Sequence, residues 1–509
     1  MKGTKTAVEP QRTRRSQRFR AQRIVFFVSL LGALCVLRGS YVFVPLSAQG
    51  QSADRTRPPA LGPAPQLNLP PIQKRTLSNG LPVWVIEAHK VPLVQANLVV
   101  FAGSGDDAAG KFGVASMTAA MLDEGAGSRS ALEIADAVDF LGANLTTGGN
   151  FDESVVRLNV PVLRLGDALP LMADVALRPT FPQQDLDRLR QERLTALLQA
   201  RDDPQAIAPR AFQRIVFGAM HRYGTSANGT ETTLKSFSPM DLRAFHDAFY
   251  QPSNATLVVV GDIRTDEVMP MLEKSFGEWK NAAAVRRAAV PAAPQLTTGQ
   301  IYLVDKPGAA QSVIQIGWVG VPRSTPDYFK IQVTNTILGG SFSSRLNQNL
   351  REEHGYAYGA GSGFDMRLSA GTFVARAAVQ TDKTADALHE FFNELNAIGA
   401  KPVSDAELTR GKNYVALGFP AQFETMGDLS RQIEDLIVYK LPDDYYQRYV
   451  PEILKVTAAD VQKTAATYIQ PSKFAVVVVG DRKTIEAGIR ALKLPQPIRV
   501  MSVEEALGS

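Results

Sequence analysis

The sequence predicts an α+β fold of two homologous domains, each a mostly antiparallel sheet packed with helices. One observation is an internal repeat: 250–262 (YQPSNATLVVVGD) returns as 468–481 (YIQPSKFAVVVVGD), with Pro252 and Pro471 separated by 219 positions. This period is too long for a solenoid and fits two copies of one domain. The second observation is that apolar, β-rich runs alternate with helical stretches, an arrangement typical of the α+β class.

The elements of the first half follow from local patterns. An Asn79-Gly80 turn leads into the first apolar run, which is a common start for a strand. In chain order we expect strands at 81–87 and 93–102, helices at 113–123 and 131–141, a strand at 154–160, helices at 183–199 and 239–249, and a strand at 256–261.

Composition shifts define the expected domain boundaries. Residues 49–72 are rich in Pro, Gln and Ala and read as a linker, and 282–298 are dominated by Ala and Pro. The expected organisation is an N-terminal targeting segment (1–48), a linker (49–72), a first domain (73–281), an inter-domain linker (282–298) and a second domain (299–497).

The first 48 residues predict export. They hold nine Lys/Arg and one acidic residue, followed by the apolar run 24–37 and small residues near Ser47 and Ala48. This pattern indicates a secretory signal peptide. An uncleaved anchor is the alternative, because the apolar stretch reaches to Leu46 if Arg38 is tolerated. We expect a bacterial periplasmic protein, with inner-membrane anchoring left open.

Charge and residue counts exclude several classes of function. The formal net charge of +5 arises in the N-terminal segment, and the remaining chain has a slight acidic excess, so nucleic-acid binding has no electrostatic basis. The single Cys35 cannot form an internal disulfide or a Cys-based zinc site. The five histidines are far apart, and no two are spaced to hold a metal from one helix.

Two segments carry the motifs of interest. The first, GVASMTAAMLDEG at 113–125, predicts a helix with Met117 and Met121 on its apolar side and Gly125 as its stop. Its positions 116, 119 and 120 share one face and carry only small side chains. The second, SSRLNQNLREEHGYAY at 343–358, places Arg351 on the last turn of a helix ended by Gly355, with Tyr358 on the next strand.

These motifs, with the duplication and HRYG at 221–224, resemble the pitrilysin/insulinase family of metallopeptidases over roughly 70–495. Active members carry H-x-x-E-H on the first helix, with two zinc-binding His and a Glu as base. The resemblance implies that Ser116, Ala120 and Gln199 stand at the three ligand positions and Ala119 at that of the base. Asp123 and Glu124 are substitute ligands only in an alternative, since they lie about one turn further on.

The resemblance also implies a role for Arg351 and Tyr358, which match an Arg/Tyr pair that faces the zinc site in the family. A guanidinium and a phenol aimed at one carbonyl can stabilise a developing oxyanion. The competing interpretation pairs Arg351 with Glu352 or Glu353 and packs Tyr358 as an ordinary strand residue.

We therefore expect a chain that binds no cofactor and is inactive alone. It would be the non-catalytic, substrate-binding subunit of a heterodimeric zinc peptidase, with zinc on a homologous H-x-x-E-H partner and with peptides or unfolded polypeptides as substrates. Substrates would add a strand to an exposed sheet edge. The alternatives are an inert scaffold of the same fold and a self-sufficient zinc peptidase with unrecognised ligands.

Overall fold

A computed structural model of the chain describes residues 62–63, 66–282, 284–287, 289–495 and 497–508. Apart from Gly62, these residues belong to one compact unit, Pro63–Ser509. The predicted targeting segment and residues 49–61, 64 and 65 of the predicted linker 49–72 lie outside the described residues. Among the helices that are described, none has the length and apolar character needed to cross a membrane.

The first six-stranded sheet is formed by the first half of the unit. Its strands are β1 (Gln73–Thr76), β2 (Pro82–Glu87), β3 (Leu93–Val100), β4 (Asn144–Gly149), β5 (Ser154–Pro161) and β6 (Ala255–Gly261). The order across the sheet is β1-β2-β6-β3-β5-β4, and only the β2/β6 pair is parallel. Every residue of β6 is buried, which explains its continuous run of apolar residues.

The first half also contains helices. They are α1 (Val114–Ala120), α2 (Ala131–Phe140), α3 (Leu165–Leu177), α4 (Gln183–Gln199), α5 (Pro204–Phe217), α6 (Glu231–Ser236), α7 (Pro239–Phe249) and α8 (Thr265–Phe276). Several start at side-chain caps that the sequence carries, such as Ser130 before α2 and Ser238 before α7. Residues between α8 and the next strand form no helix or strand where they are described.

The second half repeats this plan. Its sheet contains β7 (Gln300–Asp305), β8 (Gln311–Val319), β9 (Ala357–Phe364), β10 (Thr372–Gln380), β11 (Ala475–Gly480) and β12 (Ile498–Met501), in the order β12-β7-β11-β8-β10-β9. The two sheets correspond strand by strand except at one edge. There, β1 runs antiparallel to β2 in the first sheet, whereas β12 runs parallel to β7 in the second.

The helices of the second half include two irregular segments. Helix α9 (Tyr328–Asn335) continues into a π-helical turn (Thr336–Gly340), and the short turn Arg345–Asn347 continues into a second one (Gln348–Glu353). The remaining helices are α10 (Thr384–Ala400), α11 (Asp405–Gly418), α12 (Met426–Val438), α13 (Tyr445–Lys455), α14 (Ala458–Tyr468), α15 (Arg482–Ala491) and α16 (Val503–Leu507).

These elements confirm the predicted α+β class. The helices expected at 183–199 and 239–249 have those limits, and the expected strands are present with ends shifted by at most two residues. The prediction for 113–123 was too long, because α1 ends at Ala120. Gly125 is not the helix stop: it begins a short hairpin, and a Cβ there would lie 2.5 Å from the Thr180 hydroxyl oxygen.

The two halves exchange equivalent helices. Helix α5 of the first half lies on the second sheet, where Ile207, Ala211 and Phe212 share an apolar cluster with Val477 and Val479 of β11. Helix α12 of the second half lies on the first sheet, where it contacts β3 and β6. Each sheet therefore completes its core with a helix from the other half, and the hydrophobic effect holds the halves together.

A buried polar cluster lies where α12 crosses the first sheet. The Asn97 amide donates to the Ser430 hydroxyl at 3.0 Å, and Arg157 donates to the Glu434 carboxylate at 2.6 Å. Glu153, at the start of β5, is also buried, and one of its carboxylate oxygens has no hydrogen-bond partner within the described part of the chain. Burial, and secondarily the charge of Glu434, raises the pKa of Glu153 to about 8.

The raised pKa of Glu153 predicts that stability falls as pH rises between about 4.5 and 8. In that range the unfolded carboxyl is ionised while the folded one keeps its proton, so the folded state binds more protons. Glu153→Gln mimics the protonated form and should flatten this fall, raising the free energy of unfolding at pH 8.5 by roughly 5 kcal/mol. Urea unfolding at several pH values measures this difference. Equal pH dependence in both proteins would contradict the assignment.

Candidate functional site

The site is built around α1. The start of this helix is capped by a carboxylate from the preceding loop. Gly113, which precedes the helix, has no side chain with which to cap it. Asp107 instead accepts hydrogen bonds from the backbone N–H groups of Gly113, at 2.5 Å, and Ala115, at 2.9 Å. Burial raises the pKa of Asp107 to about 7 despite these hydrogen bonds.

A loop formed by residues 225–230 lies against the start of α1. Gly113 has a φ of 96°, and a Cβ there would be 2.6 Å from the Gly229 backbone, so only glycine permits this approach. The approach brings the Asn228 side chain to α1, where its carbonyl oxygen accepts a hydrogen bond from the Ser116 hydroxyl at 2.8 Å. The half-buried Ser116 is therefore already engaged by a neutral partner.

The other predicted positions of the degenerate site differ in exposure. Ala119 is fully buried and Ala120 is half-buried, whereas Gln199 is exposed at the end of α4. The α4 side chain that reaches α1 is Arg193, which donates to the Ser116 carbonyl at 3.0 Å. Arg193 lies six residues before Gln199, about 9 Å along the helix. The assignment of Gln199 to the third ligand position stays a prediction.

Arg193 places a positive charge against α1. Burial lowers the pKa of its guanidinium, and one terminal nitrogen has no hydrogen-bond partner among the residues that the structure describes. A buried cation beside the helix opposes the binding of a divalent cation there, because like charges repel strongly where water is excluded.

The acidic residues after α1 are also engaged. Asp123 accepts a hydrogen bond from Thr147 at 3.3 Å, and Glu124 forms an ion pair of 2.5 Å with Arg188. The described residues contain no group of three or more His, Cys, Asp or Glu side chains arranged to hold a metal ion. Among the histidines, His221 and His246 are buried and contact backbone carbonyls of Pro291 and Ala176.

The residues at the predicted metal positions do not fit zinc. Tetrahedral zinc sites use imidazole, thiolate or carboxylate ligands. The three positions predicted for ligands carry a hydroxyl already hydrogen-bonded to Asn228, a methyl group and an exposed amide. The position predicted for the base carries a second methyl group.

Arg351 and Tyr358 are brought together as predicted from the sequence. The π-helical turn that carries Arg351 ends at Glu353, and Gly355 reverses the chain with a φ of 66° before β9 begins. The Arg351 guanidinium carbon lies 5.1 Å from the centre of the Tyr358 ring. Tyr358 is 87% exposed, so the interpretation of this residue as ordinary strand packing is wrong.

The contacts of Arg351 are individually weak. Its guanidinium lies 4.8 Å from the Phe342 ring centre, and its Nε is 3.2 Å from a Glu352 carboxylate oxygen, so the predicted pairing with a neighbouring acid is confirmed. Exposed cation–π contacts and surface ion pairs each contribute about 1 kcal/mol or less. An incoming carbonyl or carboxylate can therefore compete for this guanidinium.

An open groove of about 710 Å³ extends from Tyr358 over the second sheet. Its walls include the exposed aromatic rings of Phe342 and Tyr414 and the exposed Arg376 of β10. The groove runs beside β9, which is an edge strand with β10 as its one partner in the sheet. Aromatic walls suit an extended peptide. Part of the β9 edge is already engaged, because the Ala360 N–H donates to the Asn347 side chain at 3.3 Å and the Asn335 amide donates to the Ser362 carbonyl at 3.1 Å.

Sequence reasoning missed three participants of the site. Arg193 and Asn228 contact Ser116 only because α4 and the 225–230 loop fold back over α1, and Phe342 joins Arg351 through the turn before the second π-helical segment. The glycines at positions 113 and 229 were the available signal for the loop contact, since residues without a Cβ are needed where two backbone segments approach closely.

Comparison with known proteins supports one family over both halves. The family model described as insulinase (peptidase family M16) matches residues 83–229, and the model described as peptidase M16 inactive domain matches residues 236–415. Together these matches cover more than half of the chain. An uncharacterized zinc protease of Mycobacterium tuberculosis is 25% identical over 84% of this chain and 96% of its own length. One of Mycobacterium leprae is 27% identical over 66% of this chain and 75% of its own.

Solved structures show the same fold. A peptidase M16 inactive domain from Pseudomonas fluorescens has a TM-score of 0.75 at 24% identity, covering 80% of this chain and 98% of that one. A protease from Helicobacter pylori also has a TM-score of 0.75, at 21% identity, with 81% and 100% covered. The periplasmic protease PqqL from Escherichia coli has a TM-score of 0.69 at 17% identity and covers 84% of this chain, which matches half of PqqL. The chain belongs to the M16, or insulinase, family of peptidases.

Proposed function

We propose that this chain is the non-catalytic, substrate-binding subunit of a heterodimeric zinc peptidase. In this arrangement a homologous chain with an intact H-x-x-E-H helix brings the zinc. This chain contributes Arg351 and Tyr358 to the shared site. The observation that carries the proposal is that the half-buried Arg351 and the exposed Tyr358 lie together, while the helix 114–120 of the same chain carries no zinc-binding side chain.

The state of α1 supports an arrangement in which the zinc is bound by a partner chain. Its face is closed by the Asn228 loop and by the Arg193 guanidinium, so loss of the ligands is accompanied by contacts that fill their surroundings. Relatives of the family are named zinc proteases, which favours zinc-dependent hydrolysis as the chemistry of the complex. A chain without ligands can take part in that chemistry only beside a chain that has them.

The groove next to Tyr358 supports binding of peptides or unfolded polypeptides. An extended substrate that adds a strand to β9 would use main-chain hydrogen bonds, which give affinity without narrow sequence preference. The Gly359 and Gly363 positions of this strand leave open space, since a Cβ at Gly363 meets nothing within 4 Å. Between Tyr358 and Phe364 the strand carries only Gly, Ala and Ser, whose small size leaves room for an approaching backbone.

Arg351 and Tyr358 would act on the carbonyl of the bond that is cut. The guanidinium presents a rigid fork of N–H donors, and the phenol adds one O–H donor whose direction can adjust by rotation about the C–O bond. Donors placed where negative charge develops lower the barrier because they need no rearrangement during the reaction. Neither group supplies a nucleophile or a base, so this chain alone has no route to hydrolysis.

The proposed location is the bacterial periplasm. It rests on the charged N-terminal segment and the apolar run 24–37, which precede the folded unit. Whether this segment is cleaved or kept as an inner-membrane anchor is open in the proposal, and both forms place the folded unit on the same side of the membrane.

Removal of the Tyr358 hydroxyl should slow the assembled complex. With an H-x-x-E-H partner, Tyr358→Phe should lower kcat for a fluorogenic peptide by about a hundredfold, the effect of losing one oxyanion donor. Tyr468→Phe is the matched control, since its hydroxyl donates to Asp327 at 2.8 Å, away from the site. If Tyr358→Phe and Arg351→Ala both leave turnover unchanged, the chain is an inert scaffold and the proposed role is wrong.

The isolated chain should not retain zinc. After incubation with zinc and gel filtration, elemental analysis should find well below one equivalent per chain, because Ser116, Ala119, Ala120 and Gln199 offer no imidazole or carboxylate. An active H-x-x-E-H member of the family, treated in parallel, should retain zinc. One tightly held zinc in this chain, together with proteolysis in the absence of a partner, would identify it as a self-sufficient peptidase.

A further inference from the structure

A cavity of about 330 Å³ lies away from Arg351 and Tyr358, between α5, α6 and the C-terminal helix α16. Four of its wall residues are cationic: Arg201, Arg210, Arg214 and Lys235. Its one lining carboxylate is that of Glu231. The walls thus bring a surplus of positive charge into a concave space.

Glu231 neutralises only part of this charge. Its two oxygens are divided between Arg201, at 2.9 Å, and Lys235, at 2.6 Å. Arg210 and Arg214 have neither an ion pair nor a side-chain hydrogen bond within the described portion of the chain, and both are half-buried. Glu504 of α16 lies within electrostatic range of Arg201, and counting it still leaves two cations unmatched.

The two unmatched guanidinium groups are held close together. They are four residues apart on α5 and therefore share one helix face, an arrangement that costs a few tenths of a kcal/mol for like charges in water. The cost is larger where water is partly excluded, and burial lowers the pKa of Arg210 accordingly. The opposite face of α5 is fixed by its packing on the second sheet, so the helix cannot rotate to release them.

The remaining walls suit a small organic anion. Leu197 and Leu507 provide an apolar surface, and Thr225, Ser226 and Thr232 are among the polar residues that line the cavity. The volume falls at the lower end of the range typical of small-molecule sites. Paired guanidinium forks match the planar oxygens of a carboxylate and the oxygens of a phosphate with two N–H donors each.

We propose that this cavity is a binding site for an oxyanion, a carboxylate or phosphate carried by a small molecule or a peptide end, with Arg210 and Arg214 as its principal ligands. The bound anion would supply the negative charge that the walls lack. The cavity shares no residue with the Arg351–Tyr358 pair or with the adjacent groove, although part of its wall is the 225–230 loop that lies against α1.

Calorimetric titration of the full chain tests this site. The probes are inorganic phosphate, a tripeptide with a free C-terminal carboxylate, and the same tripeptide as its C-terminal amide. Binding of phosphate alone would indicate a phosphate-bearing ligand, and binding of the free acid but not the amide would indicate a carboxylate. Arg210→Gln and Arg214→Gln should each raise Kd by about tenfold, as expected for loss of one charged hydrogen-bond donor.

The matched control is the double variant Arg75→Gln/Arg482→Gln, which removes the same charge from two exposed positions and should leave Kd unchanged. Arg214→Glu tests the charge balance without a ligand: it should pair with Arg210, raise the thermal midpoint and abolish anion binding. The proposal is overturned if neither phosphate nor the free acid binds, if Arg210→Gln/Arg214→Gln binds as tightly as the wild type, or if Arg214→Glu lowers the midpoint.

Discussion

The exchange of α5 and α12 between the two halves is the constraint on which the rest of the structure depends. Each helix covers a sheet that belongs to the other half, so neither sheet has a complete core by itself. The apolar contacts supply most of the stabilisation. The polar contacts from Asn97 and Arg157 to α12 fix the position of that helix, because a shift would leave buried polar groups unpaired.

This exchange also determines where the functional features lie. Helix α5 leaves part of the second sheet uncovered, and the groove beside Tyr358 occupies that part, with Gln205 at the start of α5 on its rim. The outward side of the same helix presents Arg210 and Arg214 to the cationic cavity. One helix thus separates two concave surfaces of different character: an aromatic groove along a strand edge and a compact basic pocket.

Much of this architecture could be predicted from the sequence, because local patterns specify it. The repeat around Pro252 and Pro471 indicated the duplication, and the position of Gly355 predicted the turn that joins Arg351 to Tyr358. The contacts that depend on distant segments could not be predicted. Neither the approach of Arg193 to Ser116 nor the exchange of α5 leaves a periodic signal, since helix patterns show that a face is buried but not which sheet buries it.

The crossed arrangement has a consequence for the order in which the chain is made. Helix α5 leaves the ribosome long before β11, the strand on which it packs, has been synthesised. At translation speeds of about 5–20 residues per second, many seconds pass between the synthesis of α5 and that of the strand that covers its apolar face. The topology therefore predicts that this nascent segment is exposed to aggregation until β11 has been made.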